Sequence, residues 1–218
     1  MKPMVLDVYC GAGGCTKGYQ RAGFYVVGVD IHPQIHYCGD EFIQDDALHF
    51  LDTADLSRFA VFHASPPCQH FTHMLNHGMT DRGKHPDLID ATRQRFNATR
   101  KPYVLENVPG ARRKLVHPLL LCGNMFGLRV YRHRLFEISS KTFVFGHPHV
   151  KHREKIVHAG IAPRQNEFYC PVGHLADQAG SQRAMGIDWM QGQYEIAQAI
   201  PPAYTEWIGR QLFREVQG

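Results

Sequence analysis

The chain has no apolar run approaching the roughly 18 residues that a membrane-spanning helix needs, so such a helix is not expected. It has no signal-peptide core either, because Asp7 interrupts the first apolar residues, and a cytoplasmic protein is expected. No Cys-x-x-Cys pair occurs. The six cysteines (Cys10, Cys15, Cys38, Cys68, Cys122, Cys170) are scattered, which argues against a disulfide framework and for reduced thiols. Internal repeats and low-complexity tracts are missing as well. Strong charge of one sign is also absent, since the formal net charge is only +4. The exception is local. Residues 129–164 carry Arg129, Arg132, Arg134, Lys141, Lys151, Arg153, Lys155 and Arg164 against only Glu137 and Glu154. A basic patch of that kind suits a polyanion such as nucleic acid, although a solvated surface loop has the same charge.

What is present is ordinary bulk and an informative order. A length of 218 residues with 44% hydrophobic content suits one domain with a sizeable core. Strand and helix signals alternate in the first half. Strands are predicted at 4–9, 24–29, 42–44, 59–62 and 102–105, and helices at 16–22, 47–51 and 87–99. Repeated β-α-β with acids and a cysteine at strand ends predicts an α/β fold with a doubly wound, mostly parallel sheet. After about residue 138 the rhythm breaks, and 139–180, rich in His, Gly and Pro, reads as a very small irregular insert. A helical pattern returns at 193–213, interrupted by Pro201-Pro202.

Three features carry chemistry. Ser65-Pro66-Pro67-Cys68-Gln69 follows the apolar run 59–62, and each proline ring fixes its own φ and restricts the residue before it. That holds a thiol rigidly at the carboxyl end of a strand, where open α/β folds place chemistry. Glu106 ends another strand at the same sheet edge, in position for general acid work. The loop 9–14 is glycine-rich and Asp30 ends the next strand, a layout that suits a nucleoside-containing cofactor. It is not the dinucleotide fingerprint, because Thr16 stands where the third glycine belongs.

With these residues in view, the chain resembles the DNA cytosine-5 methyltransferases, a compact phage-type member in particular. The segment 7–14 resembles the family's first motif, Gly28-Val29-Asp30 the second and Asp45-Asp46-Ala47 the third. Pro67-Cys68-Gln69 matches the catalytic motif and Glu106-Asn107-Val108 the Glu-Asn-Val motif. Arg132-His133-Arg134-Leu135-Phe136 matches the arginine motif and Gln198-Ala199-Ile200-Pro201-Pro202 the last one. The resemblance implies a class I, Rossmann-like domain over 1–138 and 181–218, with 139–180 as a target-recognition insert. It implies S-adenosylmethionine as cofactor, with Tyr9 and Ile31 around the adenine, Asp30 on the ribose and Asp46 on the adenine amine. Gly11, Ala12, Gly14, Ala47, Pro67, Gln198 and Ala199 would line the rest.

The same resemblance gives Cys68 as nucleophile, Glu106 as acid, and Arg132 and Arg134 as anchors for the ring carbonyl and a phosphate. The substrate implied is a cytosine flipped out of double-stranded DNA, worked on by a monomer in a bacterial or phage-infected cell, in a restriction-modification or orphan setting. No metal is required. Two departures are Gln198 in place of Asn and Val130 in place of Gln. Gln69, Lys151 and Arg153 are candidate DNA contacts, as are Arg82 and Lys84 in 77–86, which reads as a lid. His147, His149, His152, Cys170 and His174 can be drawn as a zinc site, but their spacing matches no standard pattern and polar loop residues are preferred. An RNA (tRNA) cytosine-5 methyltransferase is the alternative. A nicotinamide oxidoreductase would leave Cys68 and Glu106 without a joint task.

Overall fold

The structure is a computed structural model that describes residues 2–71, 86–144, 149, 151–153, 155–157, 164, 167–169, 171 and 178–218. Seven strands form one sheet: β1 (Met4–Val8), β2 (Tyr25–Asp30), β3 (Glu41–Gln44), β4 (Val61–Ala64), β5 (Tyr103–Asn107), β6 (Leu119–Leu121) and β7 (Arg134–Ile138). Their order is β3-β2-β1-β4-β5-β7-β6. The first five run parallel, and β7 lies antiparallel between β5 and β6. The chain order reverses between β1 and β4, and there the carboxyl ends of neighbouring strands open a crevice.

Helices cover both faces, as a parallel sheet requires. On one side lie α1 (Gly14–Arg21) and α6 (Pro202–Gln217), on the other α2 (Ala47–Thr53) and α3 (Ile89–Thr99). Strand residues divide between the two cores with period two. Val5, Val26, Val61 and Val104 join Tyr19, Tyr204, Ile208 and Leu212. Leu6, Val27, Phe62 and Leu105 join Phe50, Leu51, Ile89 and Phe96. Burying each large side chain contributes about 1.5–3 kcal/mol. Helix α1 sits hard against α6 because Gly18 has no side chain; a Cβ there would lie 2.1 Å from Thr205 Oγ1 and 2.3 Å from the Pro202 carbonyl. The Thr205 hydroxyl donates to the Cys15 carbonyl at 2.8 Å, so the C-terminal helix is fastened to the helix that follows the glycine loop.

The insert is small. Its strands β8 (Lys155–Val157) and β9 (Glu167–Tyr169) pair in parallel, three residues each. Such a pair is too short to stand alone. Phe143 and Phe168 instead pack into the main core beside Tyr131. Helix α4 (Gln178–Met185) runs across the expected boundary at 180–181, and α5 (Gln193–Gln198) follows it. No described helix is long and apolar enough to cross a membrane.

Candidate active site

The sheet edge carries a cavity of about 480 Å³. Within the range of small-molecule sites, it is lined by all eleven residues expected around the cofactor: Tyr9, Gly11, Ala12, Gly14, Asp30, Ile31, Asp46, Ala47, Pro67, Gln198 and Ala199. Cys68, Gln69, Glu106 and Arg134 line the same cavity. The sulfur and the carboxyl group therefore face one space.

The glycine loop is shaped by its backbone. Tyr9 sits at φ 59, a left-handed conformation unusual for a bulky residue, where the chain leaves β1. Its hydroxyl hydrogen-bonds Thr92 Oγ1 at 3.0 Å, which holds the ring in place. Gly11 is also left-handed (φ 49), and no atom of the described residues beyond its chain neighbours lies within 4 Å of where its Cβ would be. Gly14 packs so closely on Ile200 that a Cβ would meet the Ile200 carbonyl at 2.5 Å. That approach brings the Gln198-Ala199-Ile200 segment to the loop.

Asp30 is oriented by two backbone donors, the Gly11 N–H at 3.0 Å and the His32 N–H at 3.0 Å, one to each oxygen. Each oxygen keeps a lone pair for a further donor. Asp46 caps α2 through Oδ1 alone, accepting from Leu48 and His49 N–H. Ile31 is 57% exposed on the cavity wall, an apolar surface suited to a planar ring.

Cys68 follows β4 through Ser65-Pro66-Pro67, and Glu106 stands near the end of the adjacent strand β5. Asn107 ties the two strand ends, donating from Nδ2 to the Pro66 carbonyl at 2.9 Å. Glu106 is buried, with Arg134 Nε 3.0 Å from its Oε1. The contact is an ion pair without hydrogen-bond alignment, since Oε1 accepts no hydrogen bond from the described residues. Burial pushes the Glu106 carboxyl above its ordinary pKa, against the pull of Arg134, a Ser65 hydrogen bond and Arg132. Burial also raises the Cys68 thiol, the Glu106 charge raises it further, and Arg134 and Arg132 oppose both. A proton on Glu106 removes the negative charge that holds the thiol up, so one protonation event supplies the acid and favours the thiolate.

A relay the sequence reading missed lies behind Glu106. Tyr19 Oη is 2.9 Å from His63 Nδ1, and His63 Nε2 is 3.1 Å from Ser65 Oγ. Burial pulls His63 down to about 3, so the ring is neutral, with one donor and one acceptor nitrogen. With Glu106 ionised the chain runs one way: Tyr19 donates to His63, His63 to Ser65, and Ser65 to the carboxylate. The signal was the two-residue spacing of His63 and Ser65, which puts both on one side of the strand. Asp7 was also passed over as a site residue. It lines the cavity fully buried, accepts from Thr16 Oγ1 at 2.6 Å on Oδ2, and leaves Oδ1 without a partner among the described residues.

Arg132 requires a correction. Its guanidinium serves the backbone, donating to the carbonyls of Ala199 at 3.0 Å, Pro171 at 2.9 Å and Ala197, and it is absent from the cavity wall. It clamps the returning C-terminal segment, and Arg134 alone of the pair reaches the site. The basic stretch shrinks likewise. Arg129 holds the carbonyls of Arg164 and Glu167, while Lys141, Lys151, Arg153, Lys155 and Arg164 are exposed. Arg82 and Lys84, with 77–85 of the expected lid, lie outside the described residues; Pro86 lines the cavity.

Solved structures share this architecture. A protein assigned as a DNA modification methyltransferase and encoded within a prophage of E. coli superposes with a TM-score of 0.64 at 14% identity, over 99% of this chain and 100% of that one. A methyltransferase of Entamoeba histolytica gives 0.63 at 13% identity, and the S. pombe Dnmt2 methyltransferase gives 0.58 at 15%, each over 100% of both chains. The fold is the Rossmann-like methyltransferase fold. No protein-family model matches the sequence, and no curated protein matches it.

Proposed function

We propose that this chain is an S-adenosylmethionine-dependent DNA cytosine-5 methyltransferase, built as a catalytic domain (1–138 and 181–218) with a small recognition insert (139–180). The observation that carries the reading is that Cys68 and Glu106, from adjacent parallel strands, line one cavity with the glycine loop and Asp30. The residues present fit the cofactor. Asp30 suits the ribose hydroxyls, Tyr9 and Ile31 suit the adenine, and the open space over Gly11 admits close backbone approach. The unpartnered Asp7 Oδ1 is an acceptor for a cationic group.

Carbon 5 of cytosine is a poor nucleophile until the ring is activated. Cys68 does this by attacking carbon 6 as the thiolate, forming the S–C6 bond while the ring's electron pair moves toward nitrogen 3. Glu106, protonated, donates its proton to nitrogen 3 and neutralises that charge. When bound, S-adenosylmethionine supplies the sulfonium methyl group that the enamine carbon 5 accepts. A base then removes the carbon-5 proton, the S–C6 bond breaks, the Cys68 thiolate leaves, and nitrogen 3 returns its proton to Glu106. Arg134, paired with Glu106, holds the acid in position and offers donors to the ring's carbonyl oxygen. The base must be out of the helix stack for this contact, so the substrate is a flipped nucleotide. Exposed Lys151 and Arg153 on the insert suit the DNA backbone, and the chain is taken to act as a monomer in the cytoplasm.

Transfer of labelled methyl groups from S-adenosylmethionine to duplex DNA and, in parallel, to tRNA tests the assignment. Label in DNA, recovered as 5-methylcytosine, is expected. Label confined to tRNA overturns the choice of substrate, and label in neither overturns the enzyme.

A further inference from the structure

The insert meets the catalytic sheet at a cluster that methyl transfer does not use. Cys122, directly after β6 and fully buried, and His133, directly before β7, come from the sheet. His149 and His152 come from the insert. Their four donor atoms all lie within 4.8 Å of one another. Cys122 Sγ is 3.3 Å from His152 Nε2, and His133 Nε2 is 3.0 Å from His149 Nε2. We propose that Cys122, His133, His149 and His152 form a tetrahedral zinc site that fastens the insert to the catalytic domain.

The geometry fits the ion. Zinc–nitrogen bonds near 2.05 Å and a zinc–sulfur bond near 2.3 Å put tetrahedral ligand atoms about 3.3 Å (N···N) and about 3.5 Å (S···N) apart. Two of the pairs here, Cys122–His152 and His133–His149, fall within about 0.3 Å of those separations, and the remaining pairs lie within 4.8 Å. One thiolate and three imidazoles suit zinc, whereas calcium and magnesium take oxygen ligands. Four protein ligands fill the shell and leave no open position, the mark of a structural site. On binding, the Cys122 S–H bond gives way to an S–Zn bond, the proton passes to solvent, and each imidazole contributes a nitrogen lone pair.

The ring packing prepares the donors. His152 stacks on Tyr131 with centroids 3.5 Å apart and planes at 12°, and His133 stacks on His152 at 4.7 Å. Two ligands belong to the sheet and two to the insert, so the ion crosslinks the parts. The ion would add to the contacts that already dock the insert, namely Phe143 and Phe168 in the main core and Arg129 on the carbonyls of Arg164 and Glu167. His133 lies between Arg132 and Arg134, so the ion also fixes the insert relative to the guanidinium in the cavity. The proposal departs from the expectation that the enzyme holds no metal. It keeps His149 and His152 of the set drawn from sequence. Cys122 and His133 replace members that lie outside the described residues.

The test reads metal alone, so it stands or falls independently of methyl transfer. The full chain, freed of any affinity tag and loaded with zinc, is dialysed and its metal measured by mass spectrometry, alongside Cys122→Ser, His149→Ala and a His117→Asn control. About one zinc per chain is expected in the parent and the control. Affinity against a competing chelator should fall at least about tenfold in the other two. His149 is exposed, so His149→Ala carries the test even where the buried Cys122→Ser fails to fold. Cobalt(II) in place of zinc should give visible bands of tetrahedral intensity and a sulfur-to-metal charge-transfer band that Cys122→Ser abolishes. A parent chain that retains no zinc, or a His149→Ala chain that binds as tightly as the parent, overturns the site.

Discussion

Replacing Asp7 with Asn isolates one buried carboxyl and gives a stability change whose sign and size follow from the structure. Asp7 is fully buried under the cavity, and burial raises its pKa from 3.8 to about 7, with Asp30 and Glu106 adding to the rise and Thr16 opposing it. The folded state therefore keeps a proton that the unfolded chain releases. The stability this lends is fully present below pH 3.8 and is lost as pH rises through about 7. Three pKa units at 1.36 kcal/mol each make a total of about 4 kcal/mol, of which about 2–3 kcal/mol falls between pH 5 and 8. For a chain of this length that is about 5–12 °C in Tm. Thermal unfolding at pH 5, 6, 7 and 8 should show the parent losing this increment relative to Asp7→Asn, which cannot ionise. The difference between the two removes the contribution of Glu106, which has the same sign. Parallel Tm profiles for the two chains would refute the reasoning.

Three further changes test other parts of the account. Glu137 accepts from Arg93 Nε and Nη2, the Tyr103 hydroxyl and the Val116 N–H, all at 2.8–2.9 Å. Glu137→Ala should cost about 2–4 kcal/mol in denaturant unfolding, because it removes the buried carboxylate that these four donors share and leaves the buried Tyr103 hydroxyl unpaired, while Arg93 keeps Asp90 and the Lys114 carbonyl. Arg132→Gln should lower stability by about 2–4 kcal/mol through its three carbonyl partners, whereas Arg134→Gln should lower methyl transfer at temperatures where both chains remain folded. Equal Tm for parent and Arg132→Gln would refute the clamp. Ser65→Ala removes a hydrogen bond that lowers the Glu106 pKa, so the alkaline limb of kcat/KM should move to higher pH. An unmoved limb would detach that limb from Glu106.

The first five strands were legible in the sequence because their apolar cores sit between clear turn residues. Their ends were legible only in part. The run expected at 59–62 appears as Val61–Ala64, and the one at 102–105 extends to Asn107. In both cases the extra residues, His63, Glu106 and Asn107, are polar and buried, and hydropathy reads such residues as the end of a strand. Strand β7 was missed for a related reason. Its Arg134 and Glu137 look solvent-facing, yet each is neutralised inside by a partner from another element. The residues expected around the cofactor line one cavity because motif order along the chain maps onto successive strand tips. Arg132 was misread because composition cannot tell a guanidinium that serves substrate from one that serves a carbonyl. Cys122 and His133 were missed because they meet the histidines only through tertiary packing.

Incubation of the chain with duplex DNA carrying 5-fluorocytosine and S-adenosylmethionine, followed by mass measurement of the denatured product, bears most directly on the chemistry. Fluorine at carbon 5 blocks the final proton loss, so a species with the mass of protein plus methylated DNA should accumulate, and Cys68→Ala should yield none. A Cys68→Ala chain that still captures the DNA, or a parent chain that never does, would contradict attack by this thiol on an extruded cytosine.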